Sequence, residues 1–315
     1  MPILEPGLRT TLGGHEKFVF RNGWLKKGGD AVQKDPLIFT RDDALVILGV
    51  GKNMVRSIRH WGLATGLLEE AEGLSRSRPL NLSSLGQSLI ADGGWDPYFE
   101  DVGSLWLIHW QLTNNQYRSL IWYLAFAAYP LPEFTQLQMI DFVERQLAQA
   151  GIHTTKDMMT REIECFTRTY MPAKSRNDQS SEESLDCPLA ELQLIKQTDQ
   201  SHVFQFNIGP KISLPTPIFG YALYTYLARV AATRRTVAID ECIYQYGSPG
   251  MAFKLDDNSV IEYLEEMQDI SSGQLRLVES AGIRQLYFNN WSADQFTDAA
   301  IQLLRRYYAS TITVM

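Results

Sequence analysis

The stretch FTRDDALVILGVGKNMVRSIRHWGLATGLL, residues 39–68, is the part of the chain that most constrains its fold. Its apolar residues recur at helical spacing on both sides of GVG, and glycine readily adopts the backbone conformation that ends a helix. Thr40 is a candidate N-cap of the first helix, which should end near Gly49. The second helix should run from Lys52 to about Gly66. Two helices joined by a tight glycine turn indicate a helix-turn-helix unit.

The second of these helices carries three cations at spacing i, i+4 and i+7, namely Lys52, Arg56 and Arg59. This spacing places them on one side of the helix, and its apolar residues fall on the other faces. A helix laid in the major groove of DNA needs cations for the phosphates, and Asn53 and His60 lie beside the row as candidate base contacts. The row therefore predicts DNA binding, with an ordinary solvated face as the alternative.

The next segment, LLEEAEGLSRSRPLNLSSLGQSLI (residues 67–90), predicts a strand, a basic loop, a second strand and a helix. Arg76 and Arg78 lie at the tip of that loop. A winged helix places such a loop along the phosphates next to the groove that holds its second helix. Three more cations, Arg21, Lys26 and Lys27, precede the unit and join the predicted DNA contacts.

The charge distribution separates this region from the rest of the chain. The net charge is −7 and the pI about 5.3, which by themselves argue against a nucleic-acid partner. Residues 1–80, however, hold 12 Lys and Arg against 9 Asp and Glu, and the remainder holds 17 against 27. This asymmetry favours a local anion-binding face on a body that otherwise repels anions.

Helical patterns dominate the rest of the chain, with short segments of strand character and no alternation of strands and helices typical of a doubly wound sheet. Residues 136–170 give a second helix, glycine turn and helix, with Lys156 and Arg161 as further candidate DNA contacts. We therefore predict a mainly α fold with small β wings, built from winged-helix and helix-turn-helix modules. Residues 1–130 form the DNA-binding domain, residues 131–315 a helical domain, and residues 171–188 a mobile loop.

Several classes of protein are excluded. The apolar runs are too short to span a membrane and the N-terminus lacks a signal sequence, while three widely separated cysteines fit a reducing cytoplasm. The sequence GVGKNM lacks the spacing of a phosphate-binding loop, and no GxSxG motif occurs, so a nucleotide-driven motor and an organic cofactor are not expected.

Three clusters could contribute to phosphodiester hydrolysis, which needs an activated nucleophile and positive charge or a metal at phosphorus. Each has a structural alternative, and none has the ligand spacing of a zinc site. The clusters are His15 with Glu16 (a possible general base, or a polar turn), Glu100 and Asp101 with His109 (possible Mg²⁺ ligands, or an acid pair at a helix start), and Asp240 with Glu241 (or a helix cap).

Four segments together carry a resemblance that extends over nearly the whole chain: GGHEKFVFRNGWLKKGGDAV, the helix-turn-helix stretch, LNLSSLGQSLI and DPYFEDVGSLWLIHWQL. With them the chain resembles a bacterial family first catalogued as a domain of unknown function, the SspB-like proteins of DNA phosphorothioation and anti-phage systems. The resemblance implies a DNA nickase that acts with an ATPase and a sulfur-transferring ATP pyrophosphatase. It supplies no catalytic motif.

Two functions remain open. One is an enzyme that binds duplex DNA and nicks one strand, with Mg²⁺ or another divalent metal. The other is a non-catalytic DNA-binding scaffold or transcription regulator. In both, affinity should fall steeply as salt rises, because phosphate neutralisation releases counterions.

Overall fold

A computed structural model describes residues 3–71, 78–172, 187–200, 202–280, 283–288 and 291–312 of the protein. The chain divides into two compact units. Unit 1 comprises Met1–Ala125 and Tyr129–Asn207, and unit 2 comprises Phe126–Ala128 and Ile208–Met315. The boundary therefore lies near residue 207, whereas the sequence placed a domain boundary at 130.

The first part of unit 1 follows the predicted order of helices and strands. Its elements are α1 (Trp24–Lys34), a 3-10 helix (Ile38–Thr40), α2 (Ala44–Leu48), α3 (Lys52–Ala64), β1 (Leu68–Glu70), β2 (Leu80–Leu82) and α4 (Ser84–Ile90). β1 and β2 pair antiparallel, with Leu68 opposite Leu82. A small apolar core joins these elements, formed by Ala31, Val32, Ile38, Ala44, Leu48, Val55, Leu63, Leu68 and Leu80.

The turn between α2 and α3 depends on glycine. Gly49 has φ 63°, a left-handed conformation that side chains disfavour, and its N–H caps the carbonyls of Leu45 and Val46. The predicted end of the first helix is confirmed. Its predicted start is wrong, because Thr40 ends the 3-10 helix and its hydroxyl donates to the carbonyl of Leu37 at 2.8 Å.

The remainder of unit 1 packs two buried helices against a second pair of helices and a small sheet. Its elements are α5 (Val102–Asn114), α6 (Leu120–Ala127), β3 (Glu133–Thr135), α7 (Gln136–Gln149), α8 (Lys156–Tyr170), a 3-10 helix (Pro188–Leu192), β4 (Ile195–Gln197) and β5 (Val203–Phe206). The three strands are antiparallel in the order β3-β5-β4. On α8, Cys165 lies with its Sγ 3.6 Å from the carbonyl of Phe18. Such contacts with residues near the N-terminus explain why the chain does not divide at residue 130.

Unit 2 contains a strand, helices and a hairpin in the same order as the second part of unit 1. Its elements are α9 (Thr216–Val230), β6 (Thr236–Ala238), α10 (Ile239–Tyr244), α11 (Pro249–Phe253), α12 (Asp257–Ile270), β7 (Leu275–Ser280), β8 (Ile283–Phe288) and α13 (Ala293–Ile312). The sheet order is β6-β8-β7, again antiparallel. α9 contacts both α12 and α13 at Gly220, where a Cβ atom would lie 2.4 Å from Met267 and 2.8 Å from Leu303. A side chain at this position would separate the helices.

Both three-stranded sheets share one topology, in which the strand before the helices pairs with the last strand of the hairpin that follows them. The first part of unit 1 has the same helices and hairpin. In place of the leading strand it has one backbone hydrogen bond, from Leu80 N–H to the carbonyl of Pro36 at 2.9 Å. The prediction of a mainly α protein with small β elements is confirmed.

The segment KFVFR (residues 17–21) forms no strand, and the carbonyl of Phe18 accepts the indole N–H of Trp61 at 3.0 Å. The predicted mobile loop at 171–188 lies mostly outside the described residues. Within the described part of the chain, no helix has the length and apolarity needed to cross a membrane.

Candidate nucleic-acid interface

The outward face of α3 carries the three cations that the sequence placed there. Lys52 and Arg56 are exposed, and Arg59 is partly exposed. Arg56 Nη1 lies 3.2 Å from Oε1 of Glu16, so one carboxylate accompanies that guanidinium. Asn53 is also exposed, on the first turn. The N-terminal half of this face is open to solvent.

The inward face of α3 fixes how that row of cations is presented. Ile58 and Trp61 are buried, and the indole of Trp61 is tied to the backbone of Phe18. His60 is buried as well, and a Cβ atom on Gly14 would lie 2.4 Å from its Nδ1. Burial lowers the pKa of His60 to about 3, so the ring is neutral at pH 7. Its position contradicts the predicted contact between His60 and bases.

Glu70, the last residue of β1, lies among three arginines. Its Oε1 accepts from Arg118 Nη2 at 2.8 Å and from Arg59 Nη2 at 3.3 Å, and its Oε2 lies 3.6 Å from Arg78 Nη1. The Arg118 side chain is only 12% exposed, whereas that of Arg78 is 63% exposed. Burial, reinforced by repulsion from Arg118, lowers the pKa of Arg59. One carboxylate faces three guanidiniums, so the junction of α3 and the hairpin is positively charged.

This cluster is only partly visible in the sequence. Arg59 and Arg78 were predicted as DNA contacts, but Arg118 was missed because it belongs to no motif and follows α5 in a turn. The one local signal is Asn115, whose Oδ1 accepts the Arg118 N–H at 3.0 Å in an Asx-type turn. Arg76, predicted at the tip of the same loop as Arg78, lies outside the described residues.

The cations ahead of α3 behave differently from one another. Lys26 is buried, with its Nζ 2.5 Å from Asp30 and 2.6 Å from Asp92. Arg21 is also buried, with its guanidinium 5.3 Å from the Trp24 ring centroid. Because both charged groups are enclosed and engaged, their position contradicts the predicted DNA contacts. Lys27 is exposed and donates to the Leu48 carbonyl at 3.0 Å, so it stays on the surface.

The predicted catalytic pair of His15 and Glu16 does not form one site. Glu16 pairs with Arg56 at the surface, whereas His15 is 1% exposed. A phosphodiester cannot reach an imidazole enclosed to this extent. The predicted role of His15 as a general base is therefore contradicted by its burial.

His15 instead links the N-terminal segment to α8. Its Nε2 lies 3.2 Å from Oε1 of Glu162, a buried carboxylate that also accepts the Gly13 N–H. The Lys17 N–H donates to Nδ1 at 3.0 Å, which leaves the proton of the neutral ring on Nε2, facing Glu162. Burial of the ring lowers the pKa of His15, whereas the neighbouring Glu162 carboxylate acts in the opposite direction. The sequence did not identify Glu162, because an acid on a polar helix has no distinctive pattern.

The members of the second candidate cluster are also separated, because one is buried and the others lie near the surface. His109 is fully buried on α5, with its Nδ1 2.7 Å from the Tyr170 hydroxyl. Asp101 is the N-cap of α5 and accepts the Gly103 N–H at 2.7 Å, while Glu100 is exposed. The imidazole lies in the core and the carboxylates lie at the surface, which matches the structural alternative of a helix start.

The third candidate is a cap. Both carboxylate oxygens of Glu241 accept from Arg234, at 2.6 and 2.8 Å, and Oε1 also accepts the Ala238 N–H at 3.1 Å. Asp240 beside it is exposed. Across the residues that the structure describes, no group of three or more His, Cys, Asp or Glu side chains could hold a metal ion. No metal site is therefore assigned to any of the three clusters.

The helices that correspond to α3 in the other two modules have different charges. On α8, the exposed cations Lys156 and Arg161 are accompanied by the exposed acids Asp157 and Glu164. α12 contains no Lys or Arg, and its acids are Asp257, Glu262, Glu265, Glu266 and Asp269. Of these three helices, α3 alone combines cations with a complete lack of acids. Its surface is therefore the strongest candidate for contact with a polyanion.

α2, immediately before α3, has an apolar surface. Val46 is 73% exposed, and its neighbours Leu45 and Ile47 are exposed as well. Three consecutive exposed aliphatic residues on one short helix are unusual for a surface that faces water alone. This surface favours contact with another protein.

Comparisons with known proteins give one family and one kind of structure. The model of a family described as "Protein of unknown function (DUF4007)" matches residues 12–308. A crystal structure of SspB and a crystal structure of magnesium ion-bound SspB each have a TM-score of 0.85 and 32% sequence identity to this chain. Each alignment covers 96% of this chain and 88% of the SspB chain. Among curated proteins, none matches this chain.

Proposed function

The chain is an SspB-like member of the DUF4007 family, and from this premise we propose that it binds duplex DNA through α3 during phosphorothioate modification in an anti-phage system. The observation that carries the proposal is the outward face of α3. Lys52 and Arg56 are exposed on a helix without acids, in a chain whose net charge is −7. An acidic protein that concentrates cations on one helix face has a surface suited to phosphates.

The topology supports a specific mode of binding. We assign the three arrangements of helices and antiparallel hairpin to winged helices. In the first of them, α3 is the recognition helix and the connection between β1 and β2 is the wing. Asn53 on the first turn of α3 can reach base edges, while Lys52 and Arg56 bind the phosphates. The cations of α3 and of the wing would then bind the same duplex, because the groove that holds α3 and the phosphates beside it lie against both elements.

We also propose that the protein nicks one strand, the reaction that the sequence resemblance implies. The sequence candidates do not supply an active site, because His15 and His109 are buried and Glu241 is bound to Arg234. The group that activates the nucleophile should be sought among the carboxylates and hydroxyls near the outward face of α3. Neither an organic cofactor nor a metal-dependent step is part of the proposed binding.

One of the two similar SspB crystal structures is described as bound to a magnesium ion, so this ion is tested here. In the described part of the chain no cluster of three ligands exists, so the residues present do not fit a dedicated Mg²⁺ cage. Mg²⁺ keeps several waters and often uses only one or two carboxylates with substrate phosphates. The nicking experiment is therefore run with and without the ion.

A second function, a scaffold that presents DNA to the sulfur-transfer machinery, has its own supporting observation. The exposed aliphatic surface of α2, Leu45, Val46 and Ile47, lies directly before the DNA-contacting helix. We propose it as the contact for another protein of the system, such as the ATPase or the sulfur-transferring ATP pyrophosphatase, in the cytoplasm. A scaffold and a nickase share the same DNA-binding face and differ only in cleavage.

Two measurements on the purified chain test these proposals. Fluorescence anisotropy with a labelled duplex should show binding that weakens steeply between 50 and 200 mM salt, by about 10³-fold or more for six or more phosphate contacts. Supercoiled plasmid incubated with excess protein and Mg²⁺ should become open-circular, and a parallel reaction in EDTA shows whether the nick depends on the ion. Binding without nicking would rule out the nickase and support the scaffold function. Absence of binding even at 50 mM salt would end both functions.

A further inference from the structure

The cluster of Glu70 with Arg59, Arg78 and Arg118 has more positive charge than an ion-pair network needs. From its geometry we infer that this cluster is a phosphate-binding site, in which Glu70 holds the three guanidiniums in place and phosphate oxygens bind their remaining N–H groups. The inference rests on the proposed DNA-binding function and extends it from α3 to the hairpin and to a residue after α5.

The charge balance is the first argument. Glu70 is the sole carboxylate within ion-pair distance of these arginines among the residues that the structure describes. Three guanidiniums and one carboxylate leave an excess of two positive charges. Arginine presents a planar fork of donors that matches phosphate oxygens, and each guanidinium has donors beyond those used on Glu70.

The second argument is that Arg118 is held in place before any ligand binds. Its guanidinium lies 4.5 Å from the centroid of the Tyr117 ring, and its backbone N–H donates to Oδ1 of Asn115. Asn115 Nδ2 in turn donates to the carbonyls of Leu63 and Ala64, at 3.2 and 3.0 Å, at the C-terminal end of α3. The same amide therefore fixes both α3 and the loop of Arg118. An arginine restrained in this way loses little side-chain entropy on binding.

The third argument is position. Arg59 is on α3, and Arg78 is on the connection between β1 and β2, two residues before Leu80, which pairs with Glu70. The cluster therefore joins the proposed recognition helix to the proposed wing. A phosphate bound there would touch both elements at once. Its source is either an internal phosphodiester of the duplex or a terminal phosphate at a strand break.

Four variants test the site by anisotropy at several salt concentrations. Arg78→Gln and Arg118→Gln should each weaken duplex binding about 10-fold and reduce the slope of log Kd against log salt by about 1. Glu70→Gln should tighten binding several-fold, because it removes a negative charge beside the bound phosphate while its amide oxygen can still accept from the arginines. Arg41→Gln is the matched control, since that arginine already pairs with Asp35 and Asp43, and it should keep wild-type affinity.

Duplexes with a nick bearing a 5′-phosphate or a 5′-hydroxyl distinguish the two sources. A preference for the 5′-phosphate that Arg118→Gln removes identifies a terminal phosphate, and equal affinities with the same loss identify the backbone diester. A rise of the melting temperature in inorganic phosphate that Arg78→Gln and Arg118→Gln abolish supports the site without DNA. If Glu70→Gln, Arg78→Gln and Arg118→Gln all behave like Arg41→Gln in both assays, the site is rejected, whatever the wild type does with DNA.

Discussion

α3 in unit 1 and α12 in unit 2 occupy corresponding places before a hairpin, yet they carry opposite charges. Each is the last helix before an antiparallel hairpin. α3 has Lys52, Arg56 and Arg59 and no acid, whereas α12 has five acids and no cation. A DNA phosphate attracts the first surface and repels the second. The comparison shows that topology alone does not identify a DNA-binding helix, because the exposed side chains determine which module can bind.

The two helices also differ in what lies behind them. Near α3, the buried pair of His15 and Glu162 links the N-terminal segment to α8. In unit 2, buried lysines lie beside α12: Lys211 Nζ donates to the carbonyls of Gly209 and Lys254, at 2.7 and 3.1 Å. The polar groups that support the two modules therefore carry different charges and should respond differently to mutation and to pH.

The largest expected effect comes from loosening the support near α3 without touching its outward cations. Glu162→Ala should lower the free energy of unfolding by about 3 kcal/mol, because the Gly13 N–H loses its acceptor and the buried His15 ring loses the carboxylate beside it. Urea denaturation measures this change. Glu164→Ala, at an exposed position on the same helix, is the control and should change little. Equal stability of the two variants would show that the His15–Glu162 contact does not hold unit 1 together.

Charge reversal on the outward face of α3 should give the next largest effect. The double variant Lys52→Glu and Arg56→Glu should weaken duplex binding about 100-fold at 150 mM salt, because two phosphate contacts become repulsive. Its melting temperature should remain that of the wild type, since both side chains are exposed. Wild-type affinity in a folded double variant would remove α3 from the interface.

The pH dependence of stability should separate the two modules by about 1 kcal/mol per pH unit. Burial lowers the pKa of Lys254 to about 7 and that of Lys211 to about 8, well below the ordinary range of a lysine. Between pH 7 and 10 the unfolded chain therefore binds more protons than the folded chain, so the stability of unit 2 should rise with pH.

Hydrogen exchange, corrected for intrinsic rates and read separately for each unit, checks this difference. Protection in unit 2 should increase from pH 7 to 9, and protection in unit 1 should not. Lys254→Met should reduce the pH dependence in unit 2. The same slope in wild type and variant would contradict the assignment of that dependence to Lys254.

The smallest expected effect is on α12. Glu262→Gln with Glu265→Gln removes two exposed charges, and duplex affinity should change less than about twofold at 150 mM salt, where charges more than about 8 Å apart are screened. Anisotropy under the conditions used for the α3 variant makes the two results directly comparable. A tenfold change in either direction would place DNA near α12.

Much of the fold follows from local sequence signals. The glycine turn at Gly49 and the hairpin of β1 and β2 were predicted from spacing and turn residues. Such features depend on neighbours within a few residues. The boundary of unit 1 does not, because it arises from packing of α8 against residues near the N-terminus, and no pattern in either segment reveals that contact.

The candidate site divides in the same way. Lys52 and Arg56 were predicted because helical spacing determines which side chains share a face. Arg118 and Glu162 were missed because their roles depend on partners distant in sequence, Glu70 and His15. Arg21, Lys26 and His60 were placed at the interface because residue type does not report burial. A charged side chain such as Lys26 can be buried when carboxylates pair with it, whether they lie on the same helix or far away in sequence.

One pair of positions allows the most direct test of the central claim that duplex DNA lies on α3. Asn53 and Asn258 are the second residues of α3 and α12, and both are exposed. The native cysteines, Cys165, Cys187 and Cys242, are buried, so a thiol-linked photo-crosslinker can be attached selectively to Asn53→Cys or Asn258→Cys in the intact chain. Irradiation with a labelled duplex should cross-link DNA from position 53 and not from position 258. Cross-linking from position 258 alone would contradict the account.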